Sequence, residues 1–313
     1  MQGDLSAATA YRARKTRSAN GERPDAAPET ERNDGFTMAL AIVAYQREPT
    51  NAALAAELGG QLLTPRAALA RLRPGDVAVV RLDVRRELDG CEPGLDLLEL
   101  LARRGVAVLN RAPAVLATHD KLRTARIFAS AAIPHPRTEH VASVHELLDL
   151  PTPVVVKPRF GSWGRDVARC RNRAELMAWA EQLGRRPWFR RTGALVQELL
   201  PPLGHDLRVL VACGRVVGGV ERIARPGEWR TNISLGGSRR RVELSDEVRE
   251  LALAATQAVG MDFAGVDLFP VGGSHVALEL NGAADFDRQY SLLGGDVYAD
   301  LRAALDAAVP VAA

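Results

Sequence analysis

Ala264-Gly265-Val266-Asp267-Leu268-Phe269, then the turn Pro270-Val271-Gly272-Gly273-Ser274, then Val276-Ala277-Leu278-Glu279-Leu280-Asn281, is the stretch from which the rest of the chain can be read. Two apolar, β-branched runs joined by a Pro and Gly turn predict a pair of adjacent strands. Each run is interrupted once by a carboxylate. Strand side chains alternate with a period of two, so Glu279 and Asn281 share a face. An ionised carboxylate in an apolar run costs several kcal/mol if left unpaired, so Asp267 and Glu279 call for positive charge nearby. Carboxylate and amide oxygens without His or Cys suit a hard divalent ion, Mg²⁺ or Mn²⁺. The alternative reading is a solvent-facing hairpin with ordinary polar alternation.

The second clue is the use of lysine. Of 41 Lys plus Arg, only Lys15, Lys121 and Lys157 are lysine. A compact ammonium on a flexible stem can reach a phosphate where the planar guanidinium has the wrong shape, so lysines that survive such replacement mark candidate chemistry. Codon bias with random survivors is the plain alternative. Pro153 to Val156 is an apolar strand ending on Lys157, and it runs into Pro158-Arg159-Phe160-Gly161-Ser162-Trp163-Gly164, whose glycines can bring backbone close to a nucleotide phosphate. Lys121 opens an amphipathic helix reaching Ala132, with Thr118 or Asp120 as its cap. Neither a G-x-x-x-x-G-K-[ST] loop nor a complete G-x-G-x-x-G is present. Gln197-Glu198-Leu199-Leu200-Pro201-Pro202 reads as a strand leaving the core at a proline stop, where backbone groups become free for a purine edge.

Around these segments the chain alternates strands and helices. Met38 to Tyr45, Val77 to Leu82 and Val106 to Leu109 read as buried strands, with helices over 51–58 and 95–104, and predict a small parallel sheet ending near Arg111. Further on come a helix over 174–183, a strand over 194–197, a hairpin from Leu207 through Gly214-Arg215 to Val220, and a helix over 247–259. Residues 1–37 carry six basic and six acidic side chains without apolar periodicity and read as a disordered arm, so that Met38 is a second candidate start. The expected division is an arm over 1–37, an α/β domain over 38–112, one lobe over 113–192 and a second over 193–308.

Taken together, these pieces resemble the ATP-grasp superfamily, and within it the carboxylate–amine ligases of the ribosomal-modification RimK and lysine-biosynthesis LysX type. The resemblance covers Met38 to Leu305. It rests on Asp120-Lys121-Leu122-Arg123, Val155-Val156-Lys157, Val196-Gln197-Glu198, Asp206-Leu207-Arg208, Glu221-Arg222, Trp229-Arg230-Thr231-Asn232 with Gly236-Gly237, Gly265-Val266-Asp267 and Glu279-Leu280-Asn281. It implies an α/β and α+β architecture, in which an N-terminal parallel-sheet (pre-ATP-grasp) domain precedes two lobes that clamp ATP.

Carried over by position, the resemblance implies that Lys121 and Lys157 hold the triphosphate, that Glu198 and Leu199 form the adenine hinge, and that Asp206 meets the ribose or its surroundings. Arg230, Thr231 and Asn232 are expected at the phosphates, Asp267, Glu279 and Asn281 at two metal ions, and Arg208, Arg222 and Arg230 at the transferring phosphoryl group. The implied reaction activates a substrate carboxylate as an acyl phosphate, which an amine attacks to give an amide, ADP and phosphate. A phosphotransferase on the same fold and a non-catalytic ATP-binding module are the alternatives. After the metal-site Asn the ribosomal-modification branch continues Ser-Pro-Gly, whereas this chain has Asn281-Gly282-Ala283-Ala284-Asp285-Phe286-Asp287-Arg288, closer to the lysine-biosynthesis branch. Asp285, Asp287 and Arg288 are therefore candidate contacts for a charged amino acid or peptide, with an exposed loop as the alternative. Trp163 is bulkier than the residues usual in its loop.

Composition narrows the partners. A net charge of +3, 5% aromatics and no basic run interleaved with aromatics give no support for nucleic acid as partner. No run spans a membrane, and three scattered cysteines build no disulfide framework, so a cytoplasmic protein is expected. The expected partner is an amino acid, peptide or small metabolite; a carrier protein bearing it, and a homo-oligomer, stay open.

Overall fold

The computed structural model describes residues 38–45, 48–201 and 204–309. The arm over 1–37 and Pro202 of the hinge segment lie outside the described residues.

The first sheet is built from short strands that are apolar throughout, as strands buried on both faces must be. β1 (Leu40–Val43), β2 (Gln61–Leu63), β3 (Val77–Val80) and β4 (Ala107–Leu109) form an all-parallel sheet in the order β2-β1-β3-β4. Helices α1 (Pro49–Glu57), α2 (Pro65–Arg71) and α3 (Leu95–Arg103) connect them. α1 and α2 each begin on proline, whose missing N–H costs nothing there. α3 buries Leu98 and Leu101, three residues apart. Sequence reading missed β2 and α2, which are too short for a periodic signal. α4 (Ala112–His119) leads directly into α5 (Lys121–Ser130), and Asp120 between them caps α5 by accepting from Arg123 N. Thr118, the other proposed cap, lies inside α4 and bonds to Ala114 O at 2.6 Å.

The second sheet comprises β5 (Thr138–Val141), β6 (Val154–Pro158), β7 (Ala168–Cys170) and β8 (Ala194–Glu198), antiparallel in the order β5-β8-β6-β7, with α6 (Val144–Leu148), α7 (Arg173–Leu183) and α8 (Pro187–Thr192) between its strands. β8 pairs with β5 and β6, so the sheet boundary falls after Glu198 rather than at 192/193, where sequence reading divided the lobes. That strand lies far along the chain from its partners, and only pairing reveals where it belongs.

The third sheet is also antiparallel: β9 (His205–Ala212), β10 (Arg215–Ile223), β11 (Ser238–Arg241), β12 (Phe263–Val271) and β13 (Ser274–Asn281), in the order β11-β10-β9-β12-β13. α9 (Asp246–Val259) lies between β11 and β12 in sequence, and α10 (Val297–Ala308) is the last described helix. Period two sorts β9 cleanly. Leu207, Val209 and Val211 pack with Val248, Ala252 and Ala255 of α9, whereas Leu210 and Ala212 join a cluster with Leu301 of α10 and Ile42 of β1. The parallel sheet thus rests on the third sheet through a shared core. Asn110, fully buried after β4, tightens the joint by accepting from Phe263 N at 2.7 Å and donating to Phe263 O at 2.8 Å. α9 ends at Gly260, whose φ of 75° only glycine adopts without strain. The three cysteines are free, and burial pushes each thiol well above its usual range, to about 11 or 12. Among the described residues no helix is long and apolar enough to cross a membrane.

Candidate active site

Strand register assembles the site. Arg222 on β10 stands opposite Asp206 on β9, Arg208 on β9 opposite Asp267 on β12, and Asp267 opposite Glu279 on β13. Directly opposed residues share a face, so charges scattered over 74 positions of sequence form one row across four strands. The alternate face carries the apolar residues under α9, which explains why these charges interrupt apolar runs.

The row is paired. Arg208 donates from Nε and Nη2 to both oxygens of Asp267 at 2.7 and 2.8 Å, and Arg222 Nη2 reaches Asp267 at 2.9 Å. Arg222 also forks onto Asp206, its Nε at 2.7 Å from Oδ1, and Thr231 Oγ1 donates to Asp206 at 2.6 Å. Burial opposes the charge on Asp267, but the two guanidinium groups overcome it and hold the carboxyl at about 2. Asp206, expected at the ribose or its surroundings, lines the cleft, is only 2% exposed and accepts from Arg222 and Thr231.

An open cleft of about 1000 Å³ lies between the second and third sheets. Its walls include Lys121, Lys157, Glu198, Leu199, Asp206, Arg222, Arg230, Thr231, Asn232, Asp267 and Glu279, drawn from both sheets. One part is apolar, with Val155, Val167, Leu200, Phe269 and Leu278 beside Leu199. The lysines sit where Glu279 and Asp267 enter. Lys121, in the first turn of α5, donates to Gly161 O at 2.7 Å and pairs with Glu279 at 3.1 Å. Burial raises Glu279, yet Lys121 and Lys157 outweigh it and keep the carboxyl below its usual range.

Lys157 differs from every other cation in the cleft. It is 6% exposed, and among the described residues its ammonium donates to nothing. Burial pulls it down to about 8, with Glu279 opposing and Lys121 adding repulsion. Its neutral form therefore gains ground above that pH. We expect kcat/KM for nucleotide, which reports the free enzyme, to fall as pH rises through about 8. Stability moves the other way. Between about 8 and the ordinary 10.5 the unfolded chain binds the extra proton, so unfolding free energy rises with pH across that window. A pH–rate profile beside a pH–melting series checks both signs.

The glycine loop ties the cleft shut at one edge. Gly164, at φ 67°, lets the loop run so close that a Cβ there would sit 2.7 Å from Asn232 Oδ1. Gly164 O accepts from Arg230 Nη1 at 2.8 Å, and Trp163 O accepts from Ser234 Oγ at 3.2 Å. Trp163 is 43% exposed, and its indole donates to Asp83 beyond β3 at 3.3 Å, so it bridges to the parallel-sheet domain. Arg230 is aimed by Glu228, which takes Nε and Nη2 at 3.1 and 2.9 Å and is held at about 2 by that guanidinium. Glu228 and the pairing of Asp120 with Arg159 (Nε to Oδ1 2.7 Å) escaped sequence reading. The charge spacing Glu228-x-Arg230 was the available signal. Glu228→Gln should lower kcat/KM for nucleotide about tenfold, the weight of one charge-assisted bond, with little change in melting temperature; steady-state kinetics reads it.

Other expected residues stand apart. Arg208 and Asn281 do not line the cleft, though Arg208 reaches it through Asp267, and Asn281 Nδ2 is buried without a partner among the described residues. Asp287 pairs with Arg239 at 2.9 Å, and Arg288 spans Glu57 at 2.8 Å and Asp296 at 3.0 Å on the surface. Asp285 accepts from Thr50 at 3.1 Å, facing the parallel-sheet domain. His205 is 3.9 Å from Glu221 and takes no part in the row.

The donor set can be tested against a divalent ion. Asp267 and Glu279 are directly opposed and Asn281 adds an amide; Asp267 Oδ1 and Glu279 Oε2 each accept one bond and keep a lone pair, whereas Asp267 Oδ2 already accepts from both Arg208 and Arg222. Two carboxylates at the polar end of the cleft, with the Asn281 amide two residues beyond Glu279 on the same strand, are oxygen donors of the kind a hard ion that shares its shell with phosphates takes.

Comparison with known proteins identifies the family. Residues 118–305 match the RimK-like ATP-grasp domain. The tetrahydromethanopterin:alpha-L-glutamate ligase of Methanosarcina acetivorans is 32% identical over 203 residues, 62% of this chain and 63% of that protein. A probable alpha-L-glutamate ligase of Parasynechococcus marenigrum is 33% identical over 199 residues, 62% of this chain and 42% of that one. The match thus spans less than two thirds of either relative. Among solved structures, ATP-grasp ligase PsnB complexed with minimal precursor, Mg and ADP superposes with a TM-score of 0.62 at 18% identity, over 86% of this chain and 98% of that one, a likeness of fold. With its domain match covering well over half of the sequence, the chain belongs to the RimK-like ATP-grasp family.

Proposed function

We propose that the protein is an ATP-dependent carboxylate–amine ligase that joins an amino acid, peptide or small metabolite to an amine through an acyl phosphate. The observation that carries this reading is Lys157: a lysine only 6% exposed whose ammonium has no hydrogen-bond partner among the described residues, lining the cleft beside Lys121 and two carboxylates. An unpaired buried charge is expensive, and a phosphate is the group that relieves it. The relatives named as alpha-L-glutamate ligases and the PsnB complex with Mg and ADP support the same chemistry.

In this reading the apolar part of the cleft takes the adenine, with backbone at Glu198 and Leu199 at its edge. Lys121 and Lys157 bind the phosphates, and Arg230, aimed by Glu228, closes on them with Thr231 and Asn232. Asp267, Glu279 and Asn281 would hold Mg²⁺ or Mn²⁺, two ions by the family resemblance, which supply charge neutralisation for phosphoryl transfer when bound. Arg222 and Arg208, locked by Asp206 and Asp267, present fixed positive charge where the phosphoryl group passes to the carboxylate, so little reorganisation is needed during the reaction. In the first step a carboxylate oxygen bonds to the γ-phosphorus as its bond to the ADP oxygen breaks, releasing ADP; in the second the amine nitrogen bonds to the acyl carbon as the bond from acyl carbon to phosphate oxygen breaks, releasing phosphate, which can take up the amine proton. Among the described residues that line the cleft there is no Cys or His, and this chemistry uses no protein nucleophile.

The test is ATP-dependent phosphate release with Mg²⁺ against pooled amino acids and dipeptides, with mass analysis of each active pool. The reading expects ADP, phosphate and a product equal to two substrates less water. A phosphorylated product without free phosphate would make the protein a phosphotransferase instead. Nucleotide binding without turnover in any pool would make it a binding module.

A further inference from the structure

Arg169 reaches across the cleft to a ring. It lies on β7, the outer strand of the second sheet, directly opposite Val155, a residue of the apolar part of the cleft, and so shares its face. Its guanidinium carbon stands 5.5 Å from the centroid of the Trp229 ring. Trp229 lies between β10 and β11 and lines the cleft from the side of the third sheet. Among the described residues no carboxylate stands within ion-pair distance of Arg169; Glu175 feels its charge but is held by Arg171. A half-buried guanidinium that has an indole in place of an acid is held by cation–π attraction, for which a planar cation is well shaped.

Trp229 also carries Arg230. The Arg230 guanidinium carbon lies 6.0 Å from the same centroid, and Glu228 accepts from Trp229 N at 2.9 Å while it forks Arg230. Arg230 in turn donates to Gly164 O at 2.8 Å, in the loop that leads from β6 back to β7. The contacts therefore close a circuit from β7 through Arg169, Trp229 and Arg230 to the glycine loop. One link competes with the ligand. Arg230 belongs to the phosphate site in the reading above, and a bound phosphate draws its guanidinium away from the neutral carbonyl. Arg169 does not line the cleft, so its contact with Trp229 is the link that a nucleotide leaves in place.

We propose that Arg169 is a positioning residue: through Trp229 it clasps the second sheet to the third across the cleft, holds Arg230 at the phosphates, and so sets how long a nucleotide stays. Arg169 touches no nucleotide atom itself. This deepens the ligase reading by naming what retains its nucleotide, and it rests on that reading for the nucleotide's presence in the cleft.

The probe is ADP carrying a methylanthraniloyl group, bound with Mg²⁺ to the full chain, its affinity read by titration and its release by stopped flow against excess ATP. Arg169→Met keeps the stem without the charge. It should weaken binding about fivefold, the weight of one half-buried cation–π contact, with nearly all of the loss in the release rate. The melting temperature should fall by only about 2–4 °C. Arg169→Lys, which still offers the ring a cation, should bring release back to within about twofold of wild type. Trp229→Leu should speed release, and adding Arg169→Met to it should change nothing further, as two halves of one contact must. If Trp229→Leu does not fold, the Met and Lys variants at position 169 decide. A lower melting temperature with unchanged release in Arg169→Met, an equal loss in Arg169→Lys, or losses that add in the double variant would overturn the proposal. Failure of wild type to bind the nucleotide would instead sink the ligase reading on which it rests.

Discussion

Lys157→Met is expected to lower ATP turnover about 10³-fold, the cost of removing one preorganised donor at a developing charge, while making the folded protein more stable. The two signs have one cause. Burial pulls the Lys157 ammonium down to about 8, so at pH 7 the fold carries a charge that it would rather not hold. Methionine fills nearly the same volume without that charge, and a gain of about 1–3 kcal/mol follows from the depressed pKa. A residue retained against stability in this way is a residue retained for its ligand. Lys157→Arg should not rescue turnover, because a planar guanidinium cannot take the position of a compact ammonium. Turnover near the wild-type rate in either variant, or a lower melting temperature for Lys157→Met, would remove Lys157 from the site.

Asp267→Ala should also end turnover, but with the opposite effect on stability. Asp267 is 2% exposed and receives two guanidinium groups. Its removal leaves Arg208 without an acid and Arg222 with Asp206 alone, and breaking a buried pair from one side costs about 3–5 kcal/mol. At roughly 2–4 °C per kcal/mol the melting temperature should drop by about ten degrees. Asp267 thus holds the sheet as well as the site, which the sequence pattern alone did not show. The triple variant Asp267→Leu, Arg208→Met, Arg222→Met should regain stability without activity, since removing a whole buried cluster costs far less than removing half of it. Melting curves beside ADP formation separate the two roles.

Much of the candidate site could be proposed from sequence because its signals are local. Asp267, Glu279 and Asn281 announce themselves by interrupting apolar strands, and Lys157 by being lysine in an arginine-rich chain. Period two placed Glu279 and Asn281 on one face, and the strand register agrees. What stayed hidden depends on long-range pairing. Arg169 is an ordinary arginine on a short strand until Trp229, far along the chain, comes under its guanidinium. The pairing of Arg208 and Arg222 with Asp267 needed the strand order β10-β9-β12, which no window of sequence contains. β8 was read as a strand, but its pairing with β5 and β6 was out of reach for the same reason. Arg288, chosen for its charge after β13, is held by Glu57 and Asp296 on the surface, a contact that sequence distance concealed.

The central claim is that a substrate carboxylate takes the γ-phosphoryl group before an amine displaces it. The most direct measurement supplies the purified protein with MgATP and pooled amino acids and dipeptides labelled with ¹⁸O in their carboxylates, then weighs the released phosphate. An acyl phosphate must hand one carboxylate oxygen to phosphate, so the account predicts phosphate bearing a single ¹⁸O in step with amide product. Unlabelled phosphate accompanying the same product, or a stable phosphorylated product in its place, would contradict it.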